Sequence, residues 1–251
     1  MTGEQDGGAS EPVRIAMWSG PRNLSTAMMR SFGNRPDCSV IDEPFYAAYL
    51  MLSAADHPMR DVVLCQHETD WRKVAAALAG PIPGGKRIFY QKHMTHHMLA
   101  EIGRDFMAAC RHAFLIRHPA RVLASYAAKR EAVALRDIGF VEQEALFDEA
   151  CSLTGQPPPV VDADTLLAEP RRILTRLCEA LGIAFNEEML GWPAGARPTD
   201  GVWRLHWYDA VNRSTGFAPA RPMPRLEDPG LRAIEAQALP IYQRLAAHAL
   251  A

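Results

Sequence analysis

Three groups of residues in this chain have the types and spacing to act on an anion. The first is Ser19-Gly20-Pro21-Arg22-Asn23, set between an apolar run, Ile15 to Trp18, and a helix-like run, Leu24 to Phe32, with Ser25 and Thr26 in its first turn. A strand, a glycine turn, hydroxyls and a helix start form a phosphate cradle. The first N–H groups of a helix have no intrahelical partner, and its dipole favours negative charge there. Arg22 adds a planar fork of donors, and the backbone of Asn23, Leu24, Ser25 and Thr26 completes the grip. The loop is not G-x-x-x-x-G-K-[ST], because Ser25 stands where the second Gly would be and no Lys precedes Thr26. A phosphate-like group is therefore expected without the usual ATP–Mg²⁺ arrangement. The plainer alternative is a polar turn that holds nothing.

The second group is Arg117 and Ser125, at the end of a strand and two turns into the helix that follows. If their strand neighbours the first one, both reach the mouth of the loop and can hold a second phosphate. Otherwise Arg117 pairs with a carboxylate and Ser125 is only a small helix residue. The third group holds acid–base candidates. Glu43 lies two residues beyond the strand Cys38 to Ile41, and Lys92-His93-Met-Thr-His96-His97 follows the strand Arg87 to Gln91. A neutral His suits proton transfer near pH 7, and a Glu with its pKa raised by burial also serves. A capping or salt-bridging Glu and polar histidines at a helix start are the structural alternatives. Joining His93, His96 and His97 to Cys65 and His67 gives no recognised zinc spacing.

These residues must be positioned by the elements around them. Strands are expected at 15–18, 38–41, 87–91, 111–116 and 160–162. Helices are expected at 24–32, 46–54, 70–78, from the His cluster to about 107, and at 119–135, 139–153, 170–181 and 229–248. The alternation gives an α/β fold, a three-layer, mostly parallel sheet flanked by helices. Residues 1–12, acidic and Gly-rich, read as a disordered tail and 13–251 as one domain. Residues 186–230 read as irregular.

The 251 residues are 48% hydrophobic and 22% charged, with a net charge of −2. That balance gives no general attraction for nucleic acid or an anionic membrane. Five scattered Cys residues form no C-x-x-C pair, which suits reduced thiols in a cytoplasmic protein. Neither a signal peptide nor a membrane-spanning run is visible.

The motifs together resemble the P-loop-like sulfotransferases that use 3′-phosphoadenosine 5′-phosphosulfate (PAPS). The family's first loop, roughly P-[KR]-S-G-T-[TS], is similar to Pro21-Arg22-Asn23-Leu24-Ser25-Thr26. Its second motif, roughly R-[DN]-P-x-[RD]-x-x-x-S, is similar to Arg117-His-Pro-Ala-Arg-Val-Leu-Ala-Ser125. A third segment, roughly Y-E-D-L-x-x-x-P before a helix ending in L-G, resembles Asp162-Ala-Asp-Thr-Leu166 with Pro170 and Gly182. The resemblance implies a P-loop NTPase-like fold and PAPS as co-substrate. It further implies that Arg22 and the loop grip the phosphosulfate while Arg117 and Ser125 grip the 3′-phosphate. No metal is required in principle. Glu43 resembles the base of the protein-tyrosine branch. In the cytosolic branch the base is a His after a strand-ending Lys, and here His93 falls one place early and His96 two late.

Three features depart from the family. Asn23-Leu24 replaces Ser-Gly, Asp162 replaces a common Tyr, and R-K-G-x-x-G is missing near the C-terminus, where Arg213, Ser214 and Thr215 stand as replacements. The expected activity is sulfuryl transfer to a hydroxyl or amine of a small molecule, with Lys92 touching the sulfuryl group or the acceptor. Trp18, Phe45, Tyr46, Trp203, Trp207 and Tyr208 are candidates to line the acceptor pocket. An ATP-dependent P-loop kinase and a non-catalytic nucleotide-binding module are the rivals. The acceptor and the oligomeric state, a homodimer included, are open.

Overall fold

The computed structural model describes residues 11–128 and 133–251. Most of the tail expected over 1–12 therefore lies outside the described residues. So do residues 129–132 of the helix expected over 119–135.

Five strands form one sheet in which every pairing is parallel. They are β1 (Val13–Ser19), β2 (Cys38–Asp42), β3 (Ile88–Met94), β4 (Arg111–Ile116) and β5 (Val160–Asp162), in the order β2-β3-β1-β4-β5. The helices are α1 (Ser25–Gly33), α2 (Tyr46–Ser53), α3 (Arg60–Gln66), α4 (Trp71–Ala79), α5 (Pro119–Ala127), α6 (Phe140–Thr154), α7 (Ala163–Ala168), α8 (Pro170–Ala180), α9 (Arg204–Trp207), α10 (Asp209–Asn212) and α11 (Pro229–Ala246). Parallel strands are covered on both faces, which is why they read as short continuous apolar runs. Ile15 and Met17 of β1 pack with Met28 and Phe32 of α1 and Leu177 of α8. Ala16 and Trp18 face the other way, toward Phe147 of α6 and Leu245 of α11.

This alternation selects the side chains that share a face. Side chains of a strand alternate sides. On β3, Ile88 and Tyr90 join the α1 side while Phe89 joins the α6 side. On β4, Ala113 and Leu115 join the α1 side. Ser19, Asp42, Lys92 and Arg117 continue the α1 parity at the carboxyl ends of their strands. Open α/β sheets gather their ligands at that edge.

Some expected elements differ. The helix expected from the His cluster to about 107 does not form: β3 continues to Met94, and two 3₁₀ turns follow, Thr95–His97 and Asp105–Ala109. Gly103 between them lies against Trp71, and a Cβ there would come within 2.7 Å of the ring. Helix α5 ends at Ala127 and a 3₁₀ turn occupies Leu135–Ile138. Helix α7 was not foreseen; the Asp162 side chain caps it by accepting from the N–H groups of Asp164 and Thr165. The region over 186–230 contains α9 and α10. It is strapped to α1 by an Arg30–Asp200 ion pair and by Arg30 Nη2 donating to Asn212 Oδ1 at 3.2 Å, and to the sheet by Gly201 N–H donating to Asp42 Oδ2 at 3.0 Å. No helix among the described residues is long and apolar enough to cross a membrane.

Candidate active site

The loop after β1 is held in an uncommon backbone shape. Arg22 and Leu24 have φ of 64° and 66°, values that favour glycine. Leu24 thus takes by strain the conformation that a Gly would take freely, and such strain persists where the surroundings impose it. Asn23 is fully buried and its Nδ2 donates to the Leu115 carbonyl of β4 at 3.2 Å. Gln143 Nε2 of α6 donates to the same carbonyl at 2.9 Å. Gly20 passes under Ile138, whose carbonyl would lie 2.5 Å from a Cβ, so no larger residue fits. No side chain caps α1, which leaves its first-turn N–H groups for an anion.

The second motif meets this loop directly. Arg22 Nε donates to Ser125 Oγ at 2.8 Å, and Arg117 Nη1 donates to the Arg22 carbonyl at 2.9 Å. Arg117 therefore docks on the loop rather than on a carboxylate, and Arg121 is the residue that pairs with Asp164, at 2.7 Å. Neither Arg22 nor Arg117 has an ion-pair partner among the described residues, and burial pulls both guanidiniums below their usual pKa. They remain charged, since Arg does not deprotonate in proteins. Three buried polar atoms here have no hydrogen-bond partner among the described residues: Ser19 Oγ, Asn23 Oδ1 and Arg117 Nε itself. Buried polar groups are nearly always paired, so orphans gathered at one loop point to a polar ligand.

On the other side of β1, Lys92 is 1% exposed. Its Nζ donates to Asp42 Oδ1 at 2.8 Å, Glu43 Oε1 at 2.7 Å and Tyr208 Oη at 2.6 Å. An ammonium has three N–H donors, so all are spent. Burial alone would lower the Lys92 pKa, but Asp42, Glu43 and Tyr208 hold it well above the ordinary value. Glu43 turns the chain with φ of 44° and donates its N–H to the Lys92 carbonyl at 2.9 Å. Its side chain is 12% exposed. Burial raises its carboxyl pKa, with Asp42 adding to the rise and Lys92 opposing it.

The histidines lie elsewhere. His93 follows Lys92 by one residue, so strand alternation sends it to the opposite face. There it stacks on Trp18 with centroids 4.4 Å apart and lies near Phe45 and Phe106. Burial, with His112 adding, pushes its pKa down to about 3. His93 therefore lies on the face of the sheet opposite Lys92, and Trp18 and Phe45 are core residues of that same face, not the pocket lining expected of them. His97 stacks on Tyr46 at 4.6 Å and His96 meets Tyr49 edge-on at 5.7 Å. His96 too is lowered to about 3, by burial and then by His57. Among the described residues, no three His, Cys, Asp or Glu side chains are placed to share a metal ion.

Arg213, Ser214 and Thr215 are not brought to the loop. Ser214 Oγ accepts from Trp192 Nε1 at 3.2 Å and donates to the Val211 carbonyl at 2.7 Å, while Arg213 and Thr215 are exposed. The neighbouring Asn212 faces Arg30 in the last turn of α1, away from the helix start. Two further clefts, of about 440 and 480 Å³, flank the edge strand β2, and neither is lined by Arg22, Glu43, Lys92 or Arg117.

A family model described as a sulfotransferase domain matches residues 13–249. The chain belongs to the sulfotransferase domain family. Solved structures similar to it include the sulfotransferase domain of the Synechococcus olefin synthase, with a TM-score of 0.54 and 16% identity over 94% of this chain and 98% of that one. A sulfotransferase from Alicyclobacillus acidocaldarius has a TM-score of 0.53 and 13% identity, covering 95% of each chain. These neighbours share the P-loop NTPase-like fold of the sulfotransferases. Two Arabidopsis thaliana proteins are closer in sequence. They are named branched-chain-amino-acid aminotransferase-like proteins 1 and 2, with 37% identity over 240 residues and 36% over 234. The matches take 95% and 93% of this chain but 42% and 41% of theirs. This sulfotransferase domain thus spans well under half of those relatives, and their name describes longer proteins.

Within the domain, sequence reasoning missed Asp42, placed Ser19 in the loop without a role of its own and gave Tyr208 only a pocket-lining role. The signal for Ser19 and Asp42 was available, since both end a strand on the parity of Lys92 and Arg117. Tyr208 reaches Asp42 across 166 residues, and no local pattern announces such a contact.

Proposed function

We propose that this domain moves a sulfuryl group from PAPS to a hydroxyl, or an amine, of a small acceptor by in-line displacement. The observation that carries the reading is the pair of contacts joining the two anion motifs, Arg22 Nε to Ser125 Oγ at 2.8 Å and Arg117 Nη1 to the Arg22 carbonyl at 2.9 Å. Two half-buried cations without ion-pair partners among the described residues, with three orphaned polar atoms in the same place, fit a ligand with two separate phosphate-like groups. PAPS has that form.

The roles follow from charge. In the transfer, the bond from the acceptor oxygen to sulfur forms and the bond from sulfur to the bridging oxygen breaks. The adenosine 3′,5′-bisphosphate leaves with that electron pair. Arg22 neutralises the charge gathering on the bridging oxygen, as preorganised donors do at such centres. The uncapped start of α1 with Ser25 and Thr26 holds the transferring end, and Arg117 with Ser125 holds the 3′-phosphate. Glu43 takes the acceptor proton, since its carboxyl is raised by burial. Lys92 has no donor left for the sulfuryl group and acts as the counter-charge of the two carboxylates.

Five unpaired cysteines support a cytoplasmic setting. The test is incubation of the protein with PAPS and a panel of phenols, alcohols and amines. We expect acceptor-dependent release of adenosine 3′,5′-bisphosphate that is lost in Arg22→Ala. Release of ADP from ATP–Mg²⁺ in its place would support the kinase, and binding without turnover the non-catalytic module.

A further inference from the structure

Resting on that reading, we infer that Tyr208 is a positioning residue that decides which of two adjacent carboxylates receives the acceptor's proton. Its hydroxyl commits Asp42 to holding charge and leaves Glu43 to accept.

The geometry separates the two acids. Asp42 and Glu43 are neighbours in sequence, and both touch Lys92 Nζ, at 2.8 and 2.7 Å. Asp42 takes two further donors, Tyr208 Oη at 2.8 Å and Gly201 N–H at 3.0 Å. Glu43 takes none beyond Lys92 among the described residues. A carboxylate with several donors holds its charge more strongly than one with a single donor. Tyr208 also accepts from Lys92 at 2.6 Å and from Trp203 Nε1 at 3.2 Å. Its phenol therefore donates to Asp42 and leaves one ammonium hydrogen, not two, for Glu43.

The groups facing this centre come from four elements. Asp42 and Glu43 stand on and just beyond β2, Lys92 on β3, and Tyr208 before α10. His97, in the turn after β3, acts on Lys92, and His67, beyond α3, acts on Asp42. Burial lowers both histidines from their ordinary value, so neither adds charge near pH 7. The proton therefore has one route: from the acceptor oxygen to Glu43, with Lys92 retained by Asp42 and Tyr208 while Glu43 is neutral.

Tyr208→Phe keeps the ring in its packing against Tyr46, Val63 and Trp203 and removes only the hydroxyl. Asp42 then has two donors and competes for the proton, and the freed Lys92 hydrogen turns toward Glu43. The measurement is a ¹³C carboxyl NMR titration of the free protein, with Glu43→Gln to assign the resonance. Glu43 is expected to titrate above the ordinary carboxylate range in the native protein, and about one pH unit lower in Tyr208→Phe. A titration that stays in place or moves up overturns the inference, because a merely packing tyrosine would change stability and leave Glu43 alone. If Tyr208→Phe fails to fold, the order of the two titrations in the native protein decides: the carboxyl assigned by Glu43→Gln must take its proton at a higher pH than that of Asp42, and the reverse order overturns the inference. Turnover is read separately. The acid limb of the kcat/KM profile should follow Glu43 downward, with bisphosphate affinity unchanged. Absence of any turnover with PAPS would sink the sulfotransfer reading, while the titration still decides the role of Tyr208.

Discussion

Arg22 and Arg117, both half-buried, stand on one side of β1, and the buried Lys92 stands on the other. Arg22 leans on a serine hydroxyl and Arg117 on a main-chain carbonyl, and neither meets a carboxylate among the described residues. Lys92 meets two carboxylates and a phenol, and its three hydrogens are spent. Burying a charge without a partner is costly. Two half-buried guanidiniums in that condition, with orphaned atoms around them, support the anion site proposed above. A fold that saturates an ammonium has used its charge internally. A basic residue at a strand end in this sheet is therefore a ligand-binding residue or a counter-charge according to its partners, and residue type alone does not say which.

The comparison breaks most readily at Lys92. Lys92→Met leaves Asp42 and Glu43 buried without their cation and should cost about 3–5 kcal/mol in urea unfolding. Arg22→Met and Arg117→Met should cost about 1 kcal/mol or less. Equal losses at all three sites would erase the distinction. In turnover the order reverses in meaning: Arg22→Ala should lower kcat by about 10²–10³-fold with an unchanged melting temperature. A parallel loss of stability would show Arg22 to be structural.

The histidines of β3 and of the turn that follows it give a pH test. His93 and His96 have pKa values near 3 in the folded chain, against 6.5 ordinarily. A lowered folded pKa gives stability that is present above about 6.5 and lost as pH falls through the window down to 3. Each imidazole should remove about 1.4 kcal/mol per pH unit below that point. His93→Phe should flatten part of the slope in urea titrations at pH 5–7, and a slope that persists in full would put His93 in contact with solvent. The smallest effect sharpens the anion side. Ser125→Ala removes the Arg22 Nε partner and one contact to the ligand, and should weaken adenosine 3′,5′-bisphosphate binding by about 1.5 kcal/mol, roughly tenfold, in calorimetry. No change would confine Ser125 to packing.

Much of this organisation was visible in the residues. The apolar runs at 15–18, 38–41, 111–116 and 160–162 became strands because buried parallel strands need no polar face. Arg117 and Ser125 met the first loop because β4 is the neighbour of β1. What failed did so for physical reasons. His93 is a base candidate by its place next to Lys92 along the chain, yet one residue along a strand is the opposite side of the sheet. Arg213 to Thr215 offered suitable side chains, but the Trp192 indole and the Val211 carbonyl had claimed Ser214. The contrast between Asp42 and Glu43 rests on Tyr208 and Gly201, which arrive from a strap more than 150 residues away. Nothing in the local pattern Val-Ile-Asp-Glu-Pro carries that information.

The central claim, a two-phosphate site built without a Walker lysine, is tested most directly by ligand-induced stabilisation of the native protein. Adenosine 3′,5′-bisphosphate in the absence of Mg²⁺ should raise the melting temperature, by about 2.7 kcal/mol of added stability at one hundred times its Kd. The rise should shrink in both Arg22→Ala and Arg117→Ala. Stabilisation by ATP–Mg²⁺ with none from the bisphosphate would contradict the account.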